Sequence, residues 1–496
     1  MKYKRTFLAF LLALALCLSL FPASAFAAGK ETRTTQPCSP VLTFSSSMPF
    51  ELSTANHSWN WNGIIEYSTD NSTWRLWDGT ATLRSAWHNN QERLYLRGSG
   101  NTRISNGEMQ RWVLSGIDHP SPCTKGKAVE ELTRDPKISC SGNIEYLLHY
   151  HTVDAGGHPT MAAHCFDHLF YNCTTLVKAP SLPAENLTDY CYAFMFAGCT
   201  ALKNTPKLPA TSLKPYCYWF MFYDCNSITM PPVLPALSME TGCYQGMFQS
   251  CSSLTSAPEL PATELAALCY DWMFTDCTSL RAAPELPATE LKTNCYAHMF
   301  YGCTALKIAV DLPEATMADY CCAYMFAYTN ITETPQLSPT VLAHCCYESM
   351  FRGCALLQKV NKLPATTLAR SCYYCMFSDC TALKNAPALP LESLADYCYD
   401  YMFGNCTALE TIPALSADYL PNGCYRRMFY GCTNLKLSEV ETDEYNTEYS
   451  VPIGGNAIYI GTDALNGMFE NTGGTFTGPA EANTTYYLHN SNSIVY

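Results

Sequence analysis

Between residues 157 and 440, apolar and polar positions recur with a period far longer than a helical turn or a strand pleat. The stretches "CYAFMFAGCTAL" (191–202), "CYDWMFTDCTSL" (269–280), "CYAHMFYGCTAL" (295–306) and "CYRRMFYGCTNL" (424–435) are near-copies of one another. The methionine of the Met-Phe pair stands at Met195, Met221, Met247, Met273, Met299, Met325, Met350, Met376, Met402 and Met428, and Leu169 opens the series. The step is 26 residues, except for 25 between Met325 and Met350. Each of the eleven units is too short to bury its apolar side alone, so the units must stack around a shared interior.

Within a unit, the first Cys, the Tyr, the Met, the Phe and a preceding Leu share one face at helical spacing. This predicts a helix of two to three turns. The residue before the second Cys is Asn172, Gly198, Asp224, Ser250, Asp276, Gly302, Gly353, Asp379, Asn405 or Gly431. Most of these types tolerate a left-handed backbone, which predicts a sharp stop. The prolines of "LRAAPELPATEL" exclude helix and predict a short or irregular extended segment. Strands stack at roughly 4.8 Å, whereas packed helices need about 8–10 Å. The array is therefore expected to bend, with helices outside and extended segments on the concave side.

The flanks read differently. Residues 28–150 contain "IIEYSTDNSTWRLWDG", a hairpin pattern, and further strands in "RLYLRGSG" and "RWVLSG". They predict a β-sandwich-like domain, with "CSGNIEYLLHY" covering the first coil of the 151–440 array. Residues 441–496 lose the period, keep a stray Met468-Phe469 and predict a β-rich C-terminal cap. Residues 1–27 combine a basic start, an apolar run and small residues, which is the pattern of a secretory signal peptide cut after Ala27. Formal charge is −13; removing Lys2, Lys4 and Arg5 leaves 27 − 43 = −16. Such a chain is a poor partner for nucleic acid or anionic membrane. No other apolar run is long enough to span a bilayer.

"MFYGCTAL" and "MFTDCTSL" resemble the repeats of BspA-like bacterial cell-surface leucine-rich-repeat proteins, over about 280 residues and in register. The units here are a few residues longer, through "APELPATEL". The resemblance implies an α/β solenoid, the leucine-rich-repeat right-handed superhelix, serving adhesion or recognition. Together with the signal segment, this leads to the expectation of a secreted or surface protein, monomeric and without cofactor, that takes an extracellular protein or glycan ligand.

Of 28 cysteines, Cys17 leaves with the signal segment; eleven occupy the first repeat column (Cys165 to Cys424) and ten the second (Cys173 to Cys432). Two residues eight apart along a helix stand too far apart for a disulfide, so the columns read as buried thiols packing as small hydrophobes. Cys123 with Cys140, and Cys322 with Cys345, are candidate disulfide pairs. "CYYC" at 372–375 has redox spacing, but it lies inside an ordinary repeat.

Other candidates are weighed against plainer readings. His164 and His168 have metal-ligand spacing, yet adjoin a structural cysteine, and no metal is assigned. "LPATE" lacks the apolar span and basic tail of a sorting signal and reads as a repeat corner. The variable row just before each Leu-Pro, with its neighbour Arg281, offers a recognition surface on the concave side: Lys207, Glu259, Arg281, Glu285, Asp311 and Lys362. A second function class places sugar binding on the aromatic residues Trp59, Trp61, Trp74 and Trp77, against a packing role for the same rings. A third is a structural surface spacer. No acid–base pair or nucleophile triad can be assembled, so the expectation is a binding protein and not an enzyme.

Overall fold

The computed structural model describes residues 41–55, 61–105, 111–117, 135–389 and 394–496. The signal segment, Cys38, Trp59 and Cys123 lie outside them. From Pro40 onward the chain forms one compact unit.

Each repeat forms one coil, or rung; its first Cys is position 0 below. From position −1 to +8 the backbone is a chain of turns and not a helix. Its hydrogen bonds alternate in direction. The N–H groups of Phe166, His168 and Phe170 donate to the carbonyls of Cys191, Ala193 and Met195 in the next rung, each at 2.9 Å. Those of Asp167, Leu169 and Tyr171 donate three residues back, to His164, Phe166 and His168, at 3.3, 3.2 and 2.9 Å. Both kinds of amide are thereby satisfied, which a buried backbone requires. The same alternation reaches Phe429, whose N–H donates to Met468 at 3.0 Å.

This geometry needs a left-handed residue every fourth position. In the first rung these are His164, His168 and Asn172, with φ of 57°, 58° and 59°. The left-handed residue expected before the second Cys is present, but as the last of three per rung and not as a helix stop. Bulky residues take the same conformation at Phe194, Phe220 and Trp272, with φ of 50°, 49° and 59°. A left-handed backbone disfavours such side chains by roughly 1–2 kcal/mol each. Stacking offsets this: Phe194 and Phe220 lie 5.2 Å apart and 6° from parallel.

The expected repeat helices are therefore absent, and the α/β assignment is corrected. Among the described residues the one helix is α1 (Tyr146–Asp154), ahead of the array. The reason is spacing. Rungs joined by backbone bonds on the turn side stand at about strand separation, and helices at 8–10 Å cannot fit. The opposite side has the same close pairing. Its proline-rich segments meet through isolated parallel bridges such as Ser212 with Ser238 and Glu333 with Lys359. With both sides matched, the mismatch that was to bend the stack disappears.

The interior holds a ladder of twelve phenylalanines at position +5, from Phe170 to Phe469. Neighbouring rings stand 5.4–5.9 Å apart and within 13° of parallel. Its last member shows that Met468-Phe469 is no stray: residues 463–472 build a twelfth rung, with left-handed Asp463, Gly467 and Asn471. Edge-on rings close both ends. Trp112 meets Phe170 at 5.6 Å and 85°, while Phe476 and Tyr486 meet Phe469 at 85° and 68°.

The N-terminal region supplies the first cap. Strands β1 (Leu42–Ser46), β2 (Phe50–Thr54), β3 (Ile64–Ser68), β4 (Arg75–Leu76), β5 (Leu83–Arg84), β6 (Ala86–His88), β7 (Gln91–Ser99), β8 (Trp112–Gly116) and β9 (Ile138–Ser141) precede α1; β10 (Leu176–Lys178) belongs to the first rung. They form a seven-stranded sheet, β10-β9-β1-β7-β3-β4 with β6 on β7, and a three-stranded sheet, β5-β2-β8. Because β10 pairs with β9, the repeat array continues the sheet. One hydrophobic core runs through both. At the other end, Tyr445–Ser450 and Thr485–His489 pair antiparallel over the last rungs.

The cysteine columns are interior and free of disulfides among the described residues. They are more than filler. Nine second-column thiols, at Cys199, Cys225, Cys251, Cys277, Cys303, Cys354, Cys380, Cys406 and Cys432, donate to the Phe carbonyl of the preceding rung at 3.0–3.2 Å. Burial pushes these thiols above their usual range; that of Cys251 rises to about 12. The proton needed for donation is therefore retained. Where the column lacks Cys, the bond changes partner: the hydroxyls of Thr329 and Thr472 donate within their own rung, to the carbonyls of Phe326 and Phe469, each at 2.8 Å.

Candidate functional site

Every fourth residue of the turn side faces outward in a column of its own. At position −1, His164, Tyr190 and Tyr216 stack at 4.7 and 4.9 Å. At position +3, His168, Phe194 and Phe220 stack at 4.7 and 5.2 Å, and Trp272, His298 and Tyr324 at 4.1 and 5.0 Å. Each rung adds one side chain to each column, so a small residue leaves a notch.

One notch opens in the −1 column at two successive rungs where the +3 column also carries small, buried residues. Between Tyr320 and Tyr397 stand Cys345 and Ser371; between Tyr324 and Tyr401 stand Ser349 and Cys375. A cavity of about 730 Å³ lies here. Tyr320 and Tyr397 wall it, with Cys345, Ser371 and Tyr374 between them. Glu348, Arg370, Asp400 and Arg426 bring charge of both signs, and His344 an imidazole.

The charges are held in place. Asp400 is buried and accepts from Arg426 Nη2 at 2.7 Å and Nε at 3.0 Å. Burial raises its carboxyl above the usual range, partly offset by that guanidinium. Tyr397 lies between two cations, with Arg426 5.2 Å and Arg370 5.5 Å from its ring centre. Tyr324 Oη donates to Glu348 at 3.4 Å. Cys345 Sγ is 3.6 Å from His344 Nε2, but burial, with help from Glu348, pushes the thiol up to about 12. A thiol held protonated is no activated nucleophile.

The residues picked from sequence are dispersed. Lys207, Glu259, Arg281, Glu285, Asp311 and Lys362 are all exposed on the proline-rich side. Asp311 there accepts the N–H of Gln336 at 2.7 Å. Neighbours on that side pair between rungs, Lys359 with Glu333 and Lys384 with Glu410. His164 and His168 stand four apart on turns, not on a helix, and both bond buried Asp167. Trp77 is core, its Nε1 donating to Ala81 at 2.8 Å. Trp61 packs on Trp77 at 5.4 Å, and Arg97 covers Trp74 at 4.1 Å. Cys140, Cys322 and Cys345 are separate buried thiols, so the Cys322–Cys345 pair is not joined. The partner suggested for Cys140, Cys123, lies outside the described residues.

The model of the BspA type leucine rich repeat region matches residues 164–307, 220–348 and 319–449, with six copies. The chain belongs to this family. Comparison with curated proteins gave no match, and neither did comparison with solved structures. Among the described residues of this BspA-type protein, no helix is long and apolar enough to cross a membrane. The notch was missed in sequence because positions −1 and +3 read as the solvent face of a helix. The signal was present nonetheless: aromatic residues fill those columns in the flanking rungs and stop at Cys345, Ser349, Ser371 and Cys375.

Proposed function

We propose that this BspA-type array is a secreted or surface-held recognition protein, not an enzyme, and that it takes an extracellular protein partner in the notch on its turn side. The observation that carries this reading is the cavity where the −1 column breaks at Cys345 and Ser371, bordered by Tyr320, Tyr397, Arg370 and Arg426. Tyrosine and arginine are the residue types that dominate binding energy at protein interfaces. Rigid rings and pre-paired charges lose little freedom on binding, which favours affinity. The opposed charges of Glu348 and Arg370 suit a partner segment of mixed charge.

Binding of the full chain to a panel of purified extracellular proteins, measured by biolayer interferometry, tests the proposal. Arg370→Glu, at an exposed position, is expected to weaken the selected partner at least tenfold, as is Tyr397→Ala. Charge reversal at Glu259 and Glu285 on the proline-rich side is expected to leave it unchanged. The opposite pattern would return the site to the row chosen from sequence.

A further inference from the structure

A second, smaller notch interrupts the +3 column at a single rung. Phe194 and Phe220 stack on one side of it, and Trp272 stands on the other. Gly246 occupies the rung between, with φ of 61°. The Phe220 ring leans over it, so that a Cβ built on Gly246 would fall 2.4 Å from that ring. The far face of Trp272 is covered by His298 at 4.1 Å, which leaves its near face toward the gap. The space measures about 400 Å³ and is lined by Phe194, Phe220, Tyr223, Gln245, Gln249 and Trp272.

None of these six side chains carries a charge. Besides the Tyr223 hydroxyl and the Trp272 indole N–H, the polar groups are two carboxamides, each both donor and acceptor. Gln245 is oriented by its own contact, Nε2 donating to buried Asp271 at 2.9 Å, which leaves its Oε1 as an acceptor. Aromatic faces with an amide rim call for a ligand with an apolar C–H face and hydroxyls at its edge.

The combination narrows the class further. A planar aromatic ligand would leave the amide rim without partners, whereas a pyranose presents an apolar C–H face to a ring and hydroxyls at its edge. We infer that this slot binds a pyranose unit of a neutral glycan, its C–H face against Trp272 or Phe220 and its hydroxyls on Gln245 and Gln249. This site is independent of the protein-binding notch and of the tryptophans of the N-terminal region.

The test is a glycan array of neutral hexose oligosaccharides probed with the full chain, followed by calorimetric titration of the oligosaccharide giving the strongest signal. The native protein is expected to bind. Gly246→Phe continues the column with a residue type already seated on this backbone at 194 and 220, and is expected to weaken binding at least tenfold. Gln249→Ala, at a half-buried surface position, is expected to weaken it several-fold; it decides the matter if Gly246→Phe does not fold. Arg370→Glu is expected to leave glycan binding intact, which separates this slot from the protein-binding notch. No neutral-glycan signal from folded native protein overturns the inference. So does a signal that Gly246→Phe and Gln249→Ala both leave at native strength, or one abolished instead by Trp87→Ala, at the exposed tryptophan of β6 in the N-terminal region.

Discussion

Truncating one thiol of the second column tests whether these cysteines bond or merely fill space. Cys277 Sγ donates to the Phe248 carbonyl at 3.0 Å, and the same carbonyl accepts the N–H of Cys251 at 3.0 Å. Burial holds the thiol protonated. Cys277→Ala removes a weak S–H···O bond worth about 0.5–1 kcal/mol. It also removes the burial of one sulfur, comparable to a methylene at about 0.8 kcal/mol. A residual void of about 20 Å³ adds about 0.5 kcal/mol at 24 cal/mol per Å³. The sum is about 2 kcal/mol. Cys277→Ser keeps an O–H donor beside the same Phe248 carbonyl and should lose only about 1 kcal/mol. The measurement is urea unfolding in reducing buffer, read from the midpoint at unchanged slope. Exchange of the Cys277 and Cys251 amides should accompany it, because a repeat array need not unfold in two states. A serine variant less stable than the alanine variant would refute the bonding role and leave the thiol as an apolar spacer.

Three further outcomes follow from the interior. Tyr373 is fully buried and its hydroxyl has no hydrogen-bond partner among the described residues, so Tyr373→Phe should stabilise by about 1 kcal/mol; thermal melting checks it, and a loss of stability would mean the hydroxyl is paired. Arg426→Ala leaves Asp400 buried without its cation and should destabilise by about 3 kcal/mol, the lower end for a broken buried pair since the arginine is partly exposed; Arg426→Ala/Asp400→Asn should recover most of it in a double-mutant cycle. Alkali should unfold the protein steeply. Thiols such as Cys191 and Cys372 are pushed up to about 12 by burial, so from about pH 9 to 12 the unfolded chain releases protons that the folded one retains. Stability then falls with rising pH by about 1.4 kcal/mol per pH unit for each such thiol. A urea midpoint that stays level from pH 8 to 11 would contradict this.

Particular residues show how far the sequence could be read. The 26-residue step and the inward set of Cys, Tyr, Met and Phe are periodic, and periodicity survives without coordinates. The left-handed residue before the second Cys was legible because Gly, Asn and Asp announce it. The same conformation at Phe194, Phe220, Trp272 and Tyr401 was not, because aromatic side chains normally argue against it. Positions 0, +1, +4, +5 and +8 fit one helical face almost as well as a four-residue turn, and the helix was the commoner choice. The twelfth rung was hidden by the longer interval between Met428 and Met468, although the Met-Phe pair marked it.

The sequence by itself determined that eleven similar units share one interior, that cysteines face inward, and that proline keeps the opposite side extended. Only the tertiary structure decided between helix and turn ladder, because half of the ladder's backbone bonds run to a residue 25 positions away in the next rung. No local pattern encodes a bond of that kind; it exists only once two rungs lie at strand spacing. The binding notches share this origin, since a small residue becomes a gap only when stacked rings stand above and below it.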